Sequence, residues 1–335
     1  MPLAVVLTDP HKRRMNTLTQ SIDAVLKHCE YERNFSSHTI KAYRLDLSHF
    51  SRFTLGELSN DLLDRVTRAH LREYARHLNG YKPRTQRRKL AAIKSMFGFL
   101  EREGFIDSNP ARAVRLDIRV GRTLPRTLSL PTMQVLFEKI YEKRQVRGTN
   151  GRPSRRNIRD VALFELMFAS GMRVSEISHL PVESVDLSRG SIMVRGKGNK
   201  ERQIPICDNE VRTALAAYVA LQPTGRGPND YFFTNRFGRR LSEQSIRMAL
   251  KRHAKAAGLD RVTPHVFRHT VATMLLEQGV DLRFIQTFLG HNSIVTTTIY
   301  AHVNDKSQRD ILTQRHPRRL IGVFSHRDSA HVYAG

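Results

Sequence analysis

Helical apolar spacing ends before residues 115–131 of this chain and resumes after them, and this break constrains the fold most. The segment RLDIRVGRTLPRTLSLP has no sustained periodicity and contains one glycine and two prolines, residues that interrupt regular structure. A chain of 335 residues is long enough to bury two separate cores. We therefore predict one domain over residues 1–121 and a second over residues 122–335.

Apolar residues at helical spacing predict four helices in the first domain. The first covers residues 17–30, the second begins at Ser36 or Ser37, and the third is capped by Thr67. The buried faces expected for the second and third helices are Ile40, Tyr43, Leu47 and Phe50, and Leu71, Tyr74 and Leu78.

The fourth helix, KPRTQRRKLAAIKSMFGFLEREGF, concentrates cations in its first turns. Its apolar stripe predicts a buried face, and Gly104 ends it. Cations at a helix N-terminus oppose the helix dipole, and a phosphate backbone lying there would compensate them. The alternative is a solvated basic face. The stripe is Leu90, Ile93, Phe97 and Leu100, and the DNA-binding candidates are Arg84, Arg87, Arg88 and Lys89.

Helical spacing also dominates the second domain, with one change of period. Apolar alternation flanks a GKGN turn in SIMVRGKGNKERQIPI, which predicts a β-hairpin over residues 191–206. Residues 144–157 are rich in Gly, Pro, Asn and Arg and predict an exposed basic loop. The predicted fold class is therefore mainly α with a small antiparallel β-sheet (α+β). The predicted helices are 131–144, 160–170 ending at Gly171, 209–221, 242–257, 264–277 and 281–289.

The charge balance predicts a polyanionic partner. The chain has 56 Lys and Arg against 31 Asp and Glu, a formal net charge of +25, with a pI near 10.8. No stretch approaches the roughly 20 apolar residues that cross a membrane, and the cations occur on helices with ordinary apolar faces. Nucleic acid is thus favoured over a lipid surface, and we expect no membrane partner.

The N-terminal stretch and the cysteines bear on the compartment. MPLAVVLTDPHKRR contains an apolar run of only five residues, shorter than the roughly 7 to 15 residues of a secretory signal. Cys29 and Cys207 show no pairing or zinc spacing, which fits a reducing compartment. We expect a cytoplasmic protein without a disulfide or a metal site.

The helix that begins at Thr263 places His265 and Arg268 on one face of its first turn. Free N–H groups and the dipole at a helix start favour an anion, so a phosphate would suit this position. Taken singly, these and the other candidates have ordinary interpretations as a cap, a surface arginine, a turn lysine or a core tyrosine. The other candidates are Arg173 after Gly171, Lys197 at the hairpin tip, His291 and Tyr300.

Read in chain order, SGMRVSEI, VRGKGNKERQIPI, HVFRHT and LGHNSIVTTTIY resemble the catalytic boxes of the tyrosine recombinases, the phage integrase family. The likeness is strongest to the Xer-type members and extends to PRTQRRKLAAIKSMFGFL, LPRTLS and RDILTQRHPR. It implies a helical N-terminal DNA-binding domain and a catalytic domain that together form a C-shaped clamp. The family pattern Arg, Lys, His-x-x-Arg, His, Tyr is matched by Arg173, Lys197, His265, Arg268, His291 and Tyr300.

The resemblance implies a site-specific recombinase that cuts and rejoins DNA through a 3'-phosphotyrosine. Attack at phosphorus builds negative charge on the nonbridging oxygens, which Arg173 and Arg268 would hold, with Tyr300 as the nucleophile. Because the covalent intermediate stores the bond energy and these cations meet the charge, we expect no ATP, metal or other cofactor. The remaining roles are general base for His265, general acid for Lys197, a hydrogen bond to phosphate for His291 and a structural role for His269.

A second basic helix, GRRLSEQSIRMALKRHAKAAG, starts at Ser242. Gln and Arg can contact base edges, and Lys and Ser can contact phosphates; a solvated basic helix is the alternative. The DNA-binding candidates here are Arg239, Arg240, Gln244, Arg247 and Lys251.

The resemblance also implies an assembly on double-stranded DNA. Two protomers would bind inverted half-sites as a dimer, and two such pairs would form a synaptic tetramer. The tail after Tyr300, through Leu312 and toward Leu320, would dock on a neighbouring protomer, and residues 321–335 are assigned no role.

The β-branched run over residues 294–299 creates a local conflict, since propensity predicts a strand and the resemblance implies a helix that carries Tyr300. Such a helix would be intrinsically weak and mobile, which would let only some protomers of an assembly cut at once.

Two other functions fit parts of this pattern. A type IB topoisomerase uses similar groups to nick and reseal one strand without a defined site, and an architectural DNA-binding protein would use the boxes only structurally. For a recombinase, the role could be integration, excision, transposition or chromosome dimer resolution. The loop at 144–157, longer than in Xer-type proteins, keeps all of these open.

Overall fold

The computed structural model describes residues 16–58, 62–112, 114, 118, 126–145, 154–196, 201–290 and 305–322. They form two compact units, divided between residues 123 and 124. The predicted fold class is confirmed, because both units are helical and the second adds a three-stranded antiparallel sheet. Within these ranges no helix is long and apolar enough to cross a lipid bilayer.

Four helices build the described part of the first unit, and local sequence sets where they begin. Thr17 Oγ1 accepts a hydrogen bond from the N–H of Gln20 at 3.1 Å, and Thr67 forms a capping box with His70. Pro83 suits the first position of its helix because it lacks the N–H that a helix start leaves unpaired. The helices are α1 Leu18–Lys27, which continues into a π-helical turn His28–Glu32, α2 Ser37–Leu58, α3 Arg68–His77 and α4 Pro83–Arg102.

The predicted apolar faces of these helices meet in one core. Phe50 of α2 lies edge-on to Tyr74 of α3 with ring centroids 5.0 Å apart, and 6.4 Å from the ring of Phe97 of α4. Aromatic pairs in this arrangement add stabilisation beyond their buried area. Of the predicted core residues in this unit, Tyr43 alone is only partly buried.

The second unit contains a sheet and eight helices among its described residues. The predicted hairpin is confirmed: β2 pairs with β3 antiparallel, with Ile192 opposite Ile204 and Val194 opposite Arg202. Strand β1 was not predicted, since two residues carry no periodicity. The elements are α5 Leu130–Gln145, α6 Arg155–Ser170, α7 Val174–Ser178, β1 Val185–Asp186, β2 Ser191–Arg195, β3 Glu201–Pro205, α8 Asn209–Val219, α9 Glu243–Ala256, α10 Pro264–Glu277, α11 Leu282–Leu289 and α12 Asp305–Arg315.

Helix α6 is the centre of the second unit and begins earlier than the sequence indicated. Residues 155–157 fall in the predicted loop 144–157 but belong to the first turn of the helix. The side-chain amide of Asn157 donates to the carbonyl of Lys143 at 2.6 Å, which joins this turn to α5. Of the other residues of this predicted loop, 144 and 145 end α5, Ser154 precedes α6, and 146–153 lie outside the described residues.

Two buried carboxylates on α6 are both paired. Asp160 Oδ2 accepts from Arg252 at 2.7 Å and from His253 at 3.1 Å. Burial raises the pKa of Asp160, but hydrogen bonds from His253 and from Arg159 outweigh it and leave that pKa lowered. Glu165 accepts from the hydroxyl of Tyr141 at 2.6 Å. A carboxylate that is buried together with its hydrogen-bond donors avoids the free-energy cost of burying an isolated charge.

The described C-terminal segment packs on the second unit of its own chain, and its expected docking on a neighbouring protomer stays a prediction. Leu312 of α12 and Ile321 are buried in the core of the second unit. Arg318, 1% exposed, donates to Glu165 at 2.6 and 2.8 Å and also pairs with Glu210. In this position Glu165 and Glu210 neutralise the buried guanidinium of Arg318.

We expect Arg318→Ala to lower the free energy of unfolding by about 3 to 5 kcal/mol, because Glu165 would keep a buried charge without its partner. Arg319→Ala is the matched control, since that side chain is exposed, and should change stability by less than about 0.5 kcal/mol. Chemical denaturation of the full chain measures both. Equal effects of the two substitutions would contradict the interpretation of Arg318 as a buried anchor.

Candidate active site

Two predicted arginines from distant parts of the second unit converge on one helix end. Arg173 lies between α6 and α7, and Arg268 lies in the first turns of α10. The guanidinium of Arg268 donates to the carbonyls of Gly171 and Leu289, both at 2.6 Å. Nη2 of Arg173 donates to the carbonyl of Gly290 at 2.7 Å. The structure therefore brings Arg173 and Arg268 together.

Most of these acceptors belong to the C-terminal end of α11. A helix end leaves carbonyls without intrahelical partners and carries partial negative charge, so cations are stabilised there. Arg202 of β3 donates its Nε–H to the carbonyl of Phe288 at 3.1 Å. Three arginines thus bind the end of α11, directly before His291 in the sequence.

Glu176 links two of these arginines, and sequence reasoning missed both Glu176 and Arg202. The Glu176 carboxylate, 7% exposed, accepts from Nη1 of Arg173 at 2.9 Å and from two nitrogens of Arg202 at 3.1 and 2.9 Å. The sequence contains a signal for each of these two residues. Glu176 follows Arg173 by three positions at a helix start, and Arg202 precedes Ile204 by two, so it shares the core-facing side of β3.

Burial and the charges of neighbouring side chains shift pKa values in this cluster. Burial lowers the pKa of Arg268 to about 10, and the charge of Arg173 contributes to that decrease. Burial raises the pKa of Glu176, but the hydrogen bonds and charges of Arg202 and Arg173 outweigh it and hold that pKa below its usual value. At neutral pH the cluster has three cations and one anion, so a bound anion would relieve the repulsion.

Two glycines allow the carbonyls that accept hydrogen bonds from Arg173 and Arg268 to lie close to these side chains. Gly171 and Gly290 have φ of +56° and +70°, a conformation that disfavours a Cβ. A Cβ on Gly171 would lie 2.4 Å from Leu289 Cδ2, and one on Gly290 would lie 2.9 Å from Arg202 Nη1. Glycine therefore fits both the backbone conformation and the space at these positions.

Open spaces adjoin the arginines. One cavity of about 390 Å³ is lined by Arg268 together with His265 and His269. Another, of about 590 Å³, extends from Arg173 to Gly196 at the end of β2. His265 is exposed in the helix turn that Thr263 caps. A ligand in the first cavity would contact Arg268 and the imidazole of His265, and a ligand in the second would contact Arg173.

Three predicted catalytic residues, Lys197, His291 and Tyr300, lie outside the described residues, as does the run at 294–299. The described chain stops one residue before Lys197, at Gly196, and one residue before His291, at Gly290.

The candidate DNA-binding residues of α4 divide into two groups. Arg84 and Arg87 are exposed. Arg88 pairs with Asp46 of α2, and Lys89, 8% exposed, lies 3.5 Å from the same carboxylate. Asp46 therefore compensates part of the charge that the sequence assigned to a phosphate backbone, and Lys89 is buried in place of being presented to a duplex.

The candidates around α9 are mostly at the surface. Arg239, Gln244 and Lys251 are exposed, and Arg247 pairs with Glu243 at 2.6 Å. Arg240 donates to Ser178 Oγ at 2.9 Å and lies 2.8 Å from Nε2 of His179, so it is tied to the end of α7.

Comparison with known proteins identifies the family. Residues 140–307 match the phage integrase family, and residues 22–104 match the N-terminal SAM-like domain of phage integrases. A tyrosine recombinase of Agathobacter rectalis is 37% identical over 311 residues, which cover 91% of this chain and 99% of that protein. The chain belongs to the phage integrase family of tyrosine recombinases.

Two further similarities agree with this assignment. The tyrosine recombinase XerC of Thermodesulfovibrio yellowstonii is 36% identical over 299 residues, which cover 87% of this chain and 94% of that protein. A lambda integrase dimer bound to a COC' core site shares the fold with a TM-score of 0.63 and 19% identity, covering 83% of this chain and 96% of that one. The resemblance to Xer-type members is confirmed.

Glu176 makes a pH-dependent contribution that a substitution can isolate. Its pKa is lowered in the folded state, so its stabilisation is fully present above the usual value of 4.5 and is lost as pH falls through the lowered pKa. We expect Glu176→Gln to reduce the free energy of unfolding by about 1 to 3 kcal/mol at neutral pH. The difference should shrink as pH falls through the lowered pKa, below which both chains are neutral at this position.

Denaturant unfolding across this pH range measures the difference. Glu243→Gln is the control, since its ion pair with Arg247 is partly exposed and should be worth less than about 1 kcal/mol. A difference between Glu176→Gln and the unsubstituted chain that stays constant with pH would argue against the ion-paired carboxylate.

Proposed function

We propose that the chain is a site-specific DNA recombinase of the Xer type that cuts and rejoins strands through a 3'-phosphotyrosine. The observation that carries the proposal is the pair of guanidiniums, Arg173 and Arg268, held on one helix end by backbone carbonyls. The neighbouring cavities and the lowered pKa of Arg268 support an anionic ligand.

In the proposed mechanism, Arg173 and Arg268 bind the nonbridging oxygens of the scissile phosphate. Both guanidiniums donate some of their N–H groups to backbone carbonyls of the protein. These hydrogen bonds fix the orientation of the guanidiniums before DNA binds. Arg173 remains 38% exposed, so it is accessible to a duplex. Preorganised donors of this kind stabilise charge that develops in the transition state without further reorganisation.

The other roles follow from the proton balance of the reaction. The phenolic oxygen of Tyr300 attacks phosphorus, His265 accepts its proton, and a bond to the enzyme replaces the bond to the 5' oxygen. That oxygen leaves with a proton from Lys197, and His291 donates a hydrogen bond to a phosphate oxygen. His269 supports the helix. Rejoining reverses these steps with a new 5' hydroxyl, so the reaction needs no ATP.

We assign DNA binding to both domains, 1–121 and 122–335, with exposed Arg84 and Arg87 on the first and the α9 surface on the second. A lambda integrase tetramer bound to a Holliday junction shares this fold, with a TM-score of 0.63. By analogy, two protomers bind inverted half-sites and two pairs form the synaptic tetramer. We place the enzyme in the cytoplasm, where integration, excision, transposition and dimer resolution all occur.

Tyr300→Phe should abolish covalent attachment to DNA while leaving binding within about twofold, because it removes only the nucleophilic oxygen. Nicked suicide duplexes drawn from the DNA flanking its own gene, resolved on denaturing gels, measure attachment. Tyr31→Phe, at a tyrosine 74% exposed in the first unit, should attach like the unsubstituted enzyme. Attachment by Tyr300→Phe would refute the assignment, and relaxation of a plasmid without a recombination site would favour a topoisomerase.

Arg268→Ala should slow covalent attachment by about 10²- to 10³-fold, the usual cost of removing one donor from an oxyanion site. Arg268→Lys should recover little of the rate, because an ammonium does not reproduce two donors in a plane. Arg189→Ala is the control, since that side chain is 84% exposed. Single-turnover kinetics with the suicide duplex separate these variants, and near-normal rates for Arg268→Lys would contradict a bidentate role.

A further inference from the structure

A histidine on α2 connects two tyrosines in the first unit. Nδ1 of His49 lies 2.9 Å from the hydroxyl of Tyr74, and Nε2 lies 3.0 Å from the hydroxyl of Tyr81. Tyr74 is 0% exposed, whereas Tyr81 is 40% exposed. The imidazole therefore bridges a buried phenol and a surface phenol.

The burial of Tyr74 fixes the direction of both hydrogen bonds. Among the described residues, the Tyr74 hydroxyl has His49 as its hydrogen-bond partner, and burial raises the pKa of Tyr74 well above its usual value, so it keeps its proton. A buried donor must be satisfied, so Tyr74 donates to Nδ1. A neutral imidazole then carries its proton on Nε2 and donates it to the oxygen of Tyr81. In the described part of the chain the O–H of Tyr81 has no acceptor, so it is left to donate to a group outside the protein.

Other contacts hold Tyr81 in place. The ammonium of Lys89 lies 5.4 Å from the centroid of its ring, and the side chain of Gln86 donates to its backbone carbonyl at 2.8 Å. Tyr81 also precedes the cation-rich start of α4 by two residues, where Arg84 and Arg87 are exposed. An anionic acceptor fits this surface, and a DNA phosphate is the anion that the proposed function supplies.

We propose that Tyr81 donates a hydrogen bond to a backbone phosphate of duplex DNA and that His49 is its positioning residue. The inference rests on the proposed function, since it requires that this unit contacts DNA. Phosphate contacts of this kind fix the orientation of a protein on the duplex and carry no sequence information.

His49 stays neutral in this arrangement. Burial, Lys89 of α4, His77 of α3 and Arg52 of α2 lower its pKa, and Asp46 opposes them. Protonation would make Nδ1 a donor and leave the buried hydroxyl of Tyr74 without an acceptor. At neutral pH the imidazole therefore carries no positive charge that would compete with Tyr81 for the phosphate.

The salt dependence of binding distinguishes this contact from an ionic one. Tyr81→Phe should weaken binding to a labelled duplex of arbitrary sequence and about thirty base pairs by roughly five- to tenfold. It should leave the slope of log K against log salt unchanged, because a neutral donor releases no counterion. Arg87→Gln should weaken binding and also reduce that slope by about 0.9. Unchanged affinity for Tyr81→Phe, or a reduced slope, would overturn the proposal.

The role of His49 requires a variant that keeps the core satisfied. His49→Ala leaves the Tyr74 hydroxyl without a partner, whereas His49→Ala with Tyr74→Phe removes both groups. We expect this double variant to bind about as weakly as Tyr81→Phe, with no further loss when Tyr81→Phe is added. Additive losses would show that His49 does not act through Tyr81.

Covalent attachment to suicide duplexes, measured in parallel, separates the two hypotheses. An unsubstituted chain that neither binds nor attaches to DNA would refute the proposed function. A chain that attaches to DNA, combined with unchanged binding by Tyr81→Phe, would refute the role of Tyr81 alone.

Discussion

The carbonyl end of α11 is the interaction on which the candidate active site depends. Arginines from the junction of α6 and α7, from α10 and from β3 all donate to the carbonyls of residues 288–290. These elements are far apart in sequence, and the guanidiniums repel one another. The partial negative charge of the helix end, together with Glu176, offsets part of that repulsion. What remains is a net positive surface whose donors are already oriented.

The core of the second unit supports this arrangement by the same means. Asp160 and Glu165 lie on α6, which packs on all sides, and both carboxylates bind arginines from elements distant in sequence. A buried pair adds little stability over apolar residues, but it penalises any packing that separates the partners. Arg318 therefore specifies where the C-terminal segment lies, and Arg252 specifies how α9 meets α6. The candidate active site therefore lies on a scaffold whose elements have few alternative packing arrangements.

The periodicity of apolar residues predicted much of the fold, but it did not predict every residue of the candidate site. Every long predicted helix is present, and the hairpin follows from the change of period at Ile192 and Ile204. The polar composition of residues 155–157 predicts a loop, whereas the structure places them in α6, where Asn157 contacts Lys143. Glu176 and Arg202 were missed since a charged residue beside a motif looks solvated until its partners are known. The resemblance to the family boxes pointed to Arg173 and Arg268, but only the structure shows that carbonyls hold them.

The two units present positive charge in different ways, and the difference matters for what each can do. In the second unit, arginines are partly buried and held by fixed acceptors, so their geometry is set before a ligand binds, as chemistry at one phosphorus requires. In the first unit, Asp46 pairs with Arg88 and lies 3.5 Å from the buried ammonium of Lys89, whereas Arg84 and Arg87 are exposed. Exposed cations suit an electrostatic contact that tolerates many sequences. A single donor held in place among these cations, such as the hydroxyl of Tyr81 beside His49, would then fix the register of the protein on the duplex.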